Sequence, residues 1–224
     1  MGYKAIIFDM DGTIIDTEKL WKEATHKLME RKGIDYTHEL KEVLQKEIHG
    51  LALHRSCGVI KELMKLEDSL EDLITEKSNI AYSLYKDGIR FIDGFQDFHR
   101  TLSAKNIKNG VATNADDMTV LLSDQALNLR SYFGEHIYGI SCVNNVCKPD
   151  PAIYLHAAEK LGVQPSECIA IEDSAHGINA AQRAGMFCIG INTSRNLDQI
   201  KHADHVIEGY EGLDIDVLLT LTKK

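Results

Sequence analysis

Hydrophobic residues follow two different patterns along the chain. From about residue 89 onward, short apolar runs alternate with stretches whose apolar residues recur at helical spacing. An apolar run also opens the chain. Continuous runs of this kind are typical of strands buried on both faces of a parallel sheet. The predicted strands are 3–8, 109–113, 137–141, 168–171, 187–191 and 205–207, with helices predicted at 91–103, 120–127, 149–162 and 174–185. The pattern predicts a doubly wound parallel α/β sheet.

The segment between the first strand and the second has a different character. It contains no proline and no strand-like run, and its apolar residues recur at helical spacing. Thr37 is placed to begin one helix, and Ser69 with Asp72 resembles a capping box ahead of another. We therefore predict an α-helical domain at 16–88, inserted into a core formed by 1–15 and 89–224.

Charge and cysteine content narrow the possible partners. The net charge of −9 disfavours binding to nucleic acid or anionic lipid, and no apolar stretch reaches membrane-spanning length. An anionic substrate would need positive charge supplied by the site itself, from a metal or a lysine. The five scattered cysteines, with no signal peptide before them, indicate reduced thiols and a cytoplasmic protein.

Polar residues with metal or phosphate chemistry stand where the predicted strands end or where a helix begins beside them. The carboxyl ends of parallel strands share one edge of the sheet, so we expect these side chains to meet in one crevice. The residues are Asp9, Asp11, Thr113, Lys148, Glu172 and Asp173.

These residue types are suited to phosphoryl transfer. Clustered carboxylates repel one another and bind a hard cation such as Mg²⁺. With that charge in place Asp9 can attack a phosphate as a nucleophile and form an aspartyl-phosphate. Asp11 is placed to protonate the leaving oxygen and then to activate water. Lys148, the Thr113 hydroxyl and backbone N–H groups can surround the phosphoryl oxygens.

The ordered set of motifs resembles the haloacid dehalogenase superfamily. The run 9–13 (DMDGT) looks like its DxDGT signature, Thr113 like its second motif, Lys148 like its third and Glu172-Asp173 like its acidic fourth. The resemblance covers essentially the whole chain. It implies a Rossmann-like core, a mobile helical cap, Mg²⁺ and phosphate transfer through Asp9. The function we expect is that of a phosphatase that hydrolyses a small phosphomonoester, either a sugar phosphate or a nucleotide-like compound.

The resemblance also implies a ligand set for the ion. Asp9 would bind it as well as attack, Asp11 would contribute its backbone carbonyl, and Asp173 would be a direct ligand. Glu172 would be either a ligand or a group that supports the ligands.

Four further residues are candidates for substrate binding. Asn114 follows Thr113 at the strand end, and Thr17 lies at the joint between core and cap, where a helix N-cap is the simpler interpretation. His49 and His54 flank the cap segment that would contact the leaving group. We expect a small phosphorylated metabolite as partner, and a monomer or small homo-oligomer.

Other functions fit the residues less well. A β-phosphoglucomutase-like enzyme is the main alternative, but its pattern has His, Arg and Lys where this chain has Trp21, Leu53 and Asp116. Dehalogenating relatives lack the second aspartate, which is Asp11 here. No G-x-G-x-x-G follows a strand, which disfavours a nicotinamide enzyme. A non-catalytic phosphometabolite-binding protein would have little reason to keep a costly carboxylate cluster.

Overall fold

Six parallel strands form the centre of the molecule in this computed structural model, which describes residues 2–85 and 88–222. The strand order is β3-β2-β1-β4-β5-β6, so the order reverses between β1 and β4 and the predicted doubly wound sheet is confirmed. The strands are β1 Ala5–Phe8, β2 Lys108–Ala112, β3 Ile137–Tyr138, β4 Cys168–Glu172, β5 Phe187–Ile191 and β6 His205–Ile207.

Both faces of the sheet are buried, as the continuous apolar runs require. Ile6 and Phe8 pack into one hydrophobic cluster, whereas Ala5 and Ile7 pack into another on the opposite face. Helices cover the two faces: α5 Phe95–Ala104, α6 Asp117–Leu127, α7 Arg130–Phe133, α8 Ala152–Leu161, α9 Ala175–Arg183, α10 Leu197–Ile200 and α11 Ile215–Leu218. Among the described residues no helix is both long and apolar enough to cross a membrane.

Four helices follow β1 and enclose a hydrophobic cluster of their own. They are α1 Glu18–Arg31, α2 His38–Ile48, α3 Leu53–Met64 and α4 Leu70–Tyr85. The predicted caps form, because Thr37 Oγ1 accepts the Leu40 N–H at 3.2 Å and Ser69 Oγ accepts the Asp72 N–H at 3.0 Å. We call 18–85 the helical segment.

The domain boundaries at 15/16 and 88/89 stay a prediction. The predicted cap includes residues 86 and 87, and the predicted core includes residues 1, 223 and 224, which all lie outside the described part of the chain.

Several predicted elements differ in extent from the structure, and two of these differences have a clear physical reason. The strand predicted at 137–141 ends at Tyr138, and a 3₁₀ turn, Ile140–Val143, replaces its second half. Pairing with β2 stops there because the Ile140 N–H bonds the carbonyl of Ala115, beyond the end of β2, at 3.1 Å. Gly139 permits this approach, since a Cβ there would lie 2.8 Å from the same carbonyl. The helix predicted from residue 91 begins at Phe95, since Gly94 has φ +79°, a left-handed conformation that no α-helix contains.

Candidate active site

The turn after β1 brings two carboxylates to the carboxyl edge of the sheet. Asp9 follows Phe8 directly, and the N–H groups of Ile14 and Ile15 both bond the Met10 carbonyl, which folds the chain back. Gly12 makes the turn possible, since its φ is +81° and a Cβ there would lie 2.2 Å from Asp173 Oδ2. A side chain at this position would displace the Asp173 carboxylate.

Lys148 lies at the centre of the site and joins the ends of three strands. Its Nζ donates to Asp9 Oδ1 at 2.6 Å, to Glu172 Oε1 at 2.6 Å and to the Ala112 carbonyl at 2.8 Å. The side chain is buried, with 2% of its surface exposed. The structure thus brings together the residues predicted from β1, β4 and the loop before α8.

Glu172 has polar partners on both of its oxygens. Besides Lys148, Oε1 accepts the Tyr154 hydroxyl at 2.6 Å, and Oε2 accepts the Ser174 hydroxyl at 3.2 Å. Tyr154 is buried on α8, and the Lys148 ammonium lies 4.9 Å from the centre of its ring. Tyr154 was not predicted as a site residue, since a tyrosine in the first turn of a helix is commonly a core residue.

Three carboxylates share the site with one ammonium. Oxygen atoms of Asp9, Glu172 and Asp173 lie within 4.8 Å of one another, and all three residues are buried. Burial raises the pKa of Asp9 well above its ordinary value, and Glu172 and Asp173 add to the rise, while Lys148 opposes it. Burial alone would lower the pKa of Lys148, but the two carboxylates raise it above its ordinary value. Negative charge remains in excess, so the donor set suits a divalent cation with a preference for oxygen.

The half-buried Asp11 is held by the first helix of the helical segment. Its Oδ1 accepts the Thr17 hydroxyl at 2.6 Å and the Trp21 indole N–H at 3.4 Å. Burial raises the pKa of Asp11, and these two hydrogen bonds oppose the rise. Thr17 was predicted as a substrate contact or an N-cap; its side chain makes no cap bond in α1 and binds Asp11 instead.

Thr113 and Asn114 follow β2 on the same edge. Thr113 Oγ1 accepts the Ala115 N–H at 3.1 Å, which leaves the hydroxyl proton available for another acceptor. Asn114 Oδ1 accepts the Lys148 backbone N–H at 2.9 Å, and its Nδ2 donates to the Gly50 carbonyl at 3.3 Å. The Asn114 side chain is therefore committed to two backbone groups.

The loop between α2 and α3, residues 49–52, lies over this edge of the sheet. His49 Nε2 is 3.5 Å from Asp173 Oδ2; burial alone would lower the pKa of His49, but Asp173 raises it above its ordinary value. The contact of His54 is different, because its Nε2 is 3.9 Å from Cys147 Sγ. Only the first of the two predicted histidines therefore contacts the carboxylate group.

The fold and the site define a Rossmann-like α/β protein with an aspartate directly after its first strand. The chain belongs to the haloacid dehalogenase-like hydrolase family, whose model matches residues 6–191.

Individual relatives agree with this assignment. A phosphorylated carbohydrates phosphatase from Thermotoga maritima is 33% identical over 187 residues, which cover 82% of each chain. A haloacid dehalogenase-type hydrolase from Entamoeba histolytica has a similar structure, with a TM-score of 0.84, 28% identity and coverage of 96% of this chain and 97% of that one. A β-phosphoglucomutase from Clostridium difficile has a TM-score of 0.76 at 27% identity and covers 96% of this chain and 95% of its own. The family and the phosphatase relative support a phosphoric monoester hydrolase.

Proposed function

We propose that the protein is a Mg²⁺-dependent phosphatase that hydrolyses a small phosphomonoester through an aspartyl-phosphate on Asp9. The observation that carries the proposal is the buried contact of Asp9 with Lys148, 2.6 Å long, at the point where the strand order reverses. This is where open α/β sheets bind their ligands. Lys148 leaves the second oxygen of Asp9, Oδ2, available to attack.

Each proposed step uses a residue whose position supports it. An Asp9 carboxylate oxygen forms a bond to phosphorus as the bond from phosphorus to the ester oxygen breaks. Asp11 gives its proton to the departing oxygen and then takes one from the water that attacks phosphorus, while the bond from phosphorus to the Asp9 oxygen breaks and inorganic phosphate leaves. Lys148 and the free hydroxyl proton of Thr113 stabilise the charge on the phosphoryl oxygens. The hydrogen bonds from Thr17 and Trp21 orient Asp11.

The carboxylates fit a magnesium ion, which when bound would supply positive charge for the phosphoryl oxygens. Asp9, Asp173 and the Asp11 carbonyl are the residues we propose to hold it. Glu172 was predicted as a ligand or a supporting group. The second role has more support, because its oxygens already accept from Lys148, Tyr154 and Ser174.

Gly12 offers a structural test of the ion site. Gly12→Ala places a methyl group against Asp173, so we expect the Mg²⁺ concentration for half-maximal activity to rise at least about tenfold. Gly33→Ala is a matched control, since Gly33 also has positive φ, +68°, yet a Cβ there meets no atom within 4 Å. Equal Mg²⁺ requirements in the two variants would remove Asp173 from the ligand set.

The substrate class follows from the charge of the site and from the relatives. We propose a phosphorylated sugar, since the Thermotoga maritima relative is named for phosphorylated carbohydrates. His49, and more distantly His54, lie on the side from which the leaving group would be contacted. A cytoplasmic location and a monomeric or small oligomeric state stay predictions.

A mutase is less well supported than a hydrolase. At the position where the mutase pattern has a histidine, Trp21 offers Asp11 an indole N–H that can donate but cannot accept a proton. Asp116 stands where the pattern has a lysine, and its carboxylate caps α6 and accepts the Tyr82 hydroxyl at 3.2 Å. Neither residue supplies a cation for a second phosphate.

Release of p-nitrophenol from p-nitrophenyl phosphate tests the proposal. We expect turnover with Mg²⁺, none after chelation, and none for Asp9→Asn, whose amide is a poor nucleophile. Asp35→Asn makes the same chemical change at an exposed position and should retain full activity. Folded wild-type protein that releases no p-nitrophenol with Mg²⁺, or an active Asp9→Asn variant, would overturn the proposal.

A further inference from the structure

We propose that Asn114 is a positioning residue that couples loop 49–52 of the helical segment to the catalytic lysine. The inference deepens the proposed function, because it assumes that Lys148 acts on the phosphoryl group. Its basis is a single side chain that bonds both parts of the molecule: the Lys148 N–H at 2.9 Å and the Gly50 carbonyl at 3.3 Å.

The chemistry of these two partners fixes the orientation of the amide. The Lys148 N–H needs an acceptor and the Gly50 carbonyl needs a donor, so the oxygen of Asn114 must face Lys148 and its nitrogen must face Gly50. Aspartate could keep the first bond but has no donor for the second. Alanine has neither group. The two bonds can therefore be removed separately.

On the side of the helical segment, the loop has little freedom to shift while it lies against the core. A Cβ on Gly50 would be 2.6 Å from Ser174 Cβ, and Gly50 itself has φ +70°. His49 next to it lies 3.5 Å from Asp173. Residues 49 and 50 thus lie against the two residues that follow β4, and the Gly50 carbonyl accepts from Asn114.

On the side of the core, Asn114 holds the backbone of Lys148, whose ammonium must contact two carboxylates at once. Lys148 Nζ is 2.6 Å from both Asp9 and Glu172, so a small displacement of its backbone would lengthen two short charged hydrogen bonds. When loop 49–52 lies over the site, both ends of the Asn114 amide are engaged. When the loop moves away, Asn114 loses one partner and Lys148 is held less firmly.

Hydrogen exchange followed by NMR tests this coupling without reference to activity. Asn114→Ala should speed the exchange of the Lys148 amide and of the Leu51 amide in the loop by about tenfold, the scale of one lost hydrogen bond. Asn114→Asp should speed only the Leu51 amide, because its carboxylate still accepts from Lys148. Asn179→Ala, an exposed asparagine on α9, should change neither. Unchanged exchange of both amides in Asn114→Ala would overturn the proposal.

Steady-state kinetics with p-nitrophenyl phosphate then separate positioning from substrate binding. For Asn114→Ala we expect kcat to fall about tenfold with KM changed less than twofold, and the loss should shrink when Gly50→Ala already displaces the loop. A raised KM with unchanged kcat, or fully additive losses in the double variant, would contradict the coupling. If the wild type has no phosphatase activity the proposed function fails, whereas the exchange experiment still decides the coupling.

Discussion

Two buried lysines in this molecule have opposite electrostatic surroundings. Lys148 at the sheet edge and Lys77 in α4 are each 2% exposed. Lys148 contacts two carboxylates at 2.6 Å, whereas the one hydrogen-bond partner of the Lys77 amine among the described residues is the Ser56 hydroxyl at 3.2 Å. Burial lowers the pKa of Lys77 to about 8, but the carboxylates raise that of Lys148 above its ordinary value.

The comparison shows what keeps the site lysine charged. Burial by itself lowers the pKa of an amine, as at Lys77, so the raised pKa of Lys148 is due to the neighbouring Asp9 and Glu172 carboxylates. The dependence is mutual, because without the ammonium the two carboxylates would be buried without a counter-charge. The three charged groups therefore depend on one another. Removal of one of them should lower both the folding stability and the catalytic activity.

Replacing each lysine by methionine should give the largest contrast. Lys148→Met leaves two carboxylates buried and unpaired, and should lower the free energy of unfolding by about 3–5 kcal/mol and kcat by at least about a hundredfold. Lys77→Met keeps a side chain of similar size and should raise the free energy of unfolding by about 1–3 kcal/mol at pH 7. Urea unfolding in EDTA and p-nitrophenyl phosphate turnover measure both. If Lys77→Met destabilises as much as Lys148→Met, the carboxylates are not the cause of the difference.

The pH dependence of stability should differ in sign between the two lysines. For Lys77 the folded pKa of about 8 is below the ordinary 10.5, so between these values the unfolded chain holds a proton that the folded protein lacks. Wild-type stability should therefore rise relative to Lys77→Met by about 3 kcal/mol from pH 8 to 10.5. For Lys148 the raised pKa means that its contribution is full below pH 10.5 and is lost above it. A flat difference between wild type and Lys77→Met across this range would show that the Lys77 amine is solvated.

The smallest effect is expected from the hydroxyl of Tyr154. Tyr154→Phe keeps the ring beside Lys148 and removes one donor to Glu172, while Lys148 and Ser174 still bind that carboxylate. We expect the free energy of unfolding to fall by about 1 kcal/mol and kcat to fall no more than a few-fold. A loss as large as that of Lys148→Met would mean that the hydroxyl, and not the ammonium, organises the site.

The positions of Asp9, Lys148, Glu172 and Asp173 could be predicted because one rule of α/β sheets places all strand ends on the same edge. The rule needs only the order of strands and helices, which the apolar runs reveal. The short helices α7, α10 and α11 were not predicted, because four residues are too few for helical periodicity to show.

The partners of the site residues could not be predicted in the same way. The bonds from Thr17 and Trp21 to Asp11, from Tyr154 to Glu172 and from Asn114 to Gly50 depend on how separate elements pack. For Asn114 the strand-end rule gave the right location, but only the packing of loop 49–52 shows that its amide is already engaged.

The most direct test of Asp9 as the nucleophile is to trap phosphate on its side chain. Protein mixed with p-nitrophenyl phosphate and Mg²⁺, quenched in acid within the first turnover and digested with pepsin at low pH, where an aspartyl-phosphate survives, should carry one phosphoryl group on the peptides that contain Asp9, as measured by mass spectrometry. Fragmentation should place that group on Asp9, and Asp9→Asn should give only the unmodified peptide. A rapid burst of p-nitrophenol with no phosphorylated peptide, or with the phosphoryl group on another residue, would contradict the proposed nucleophile.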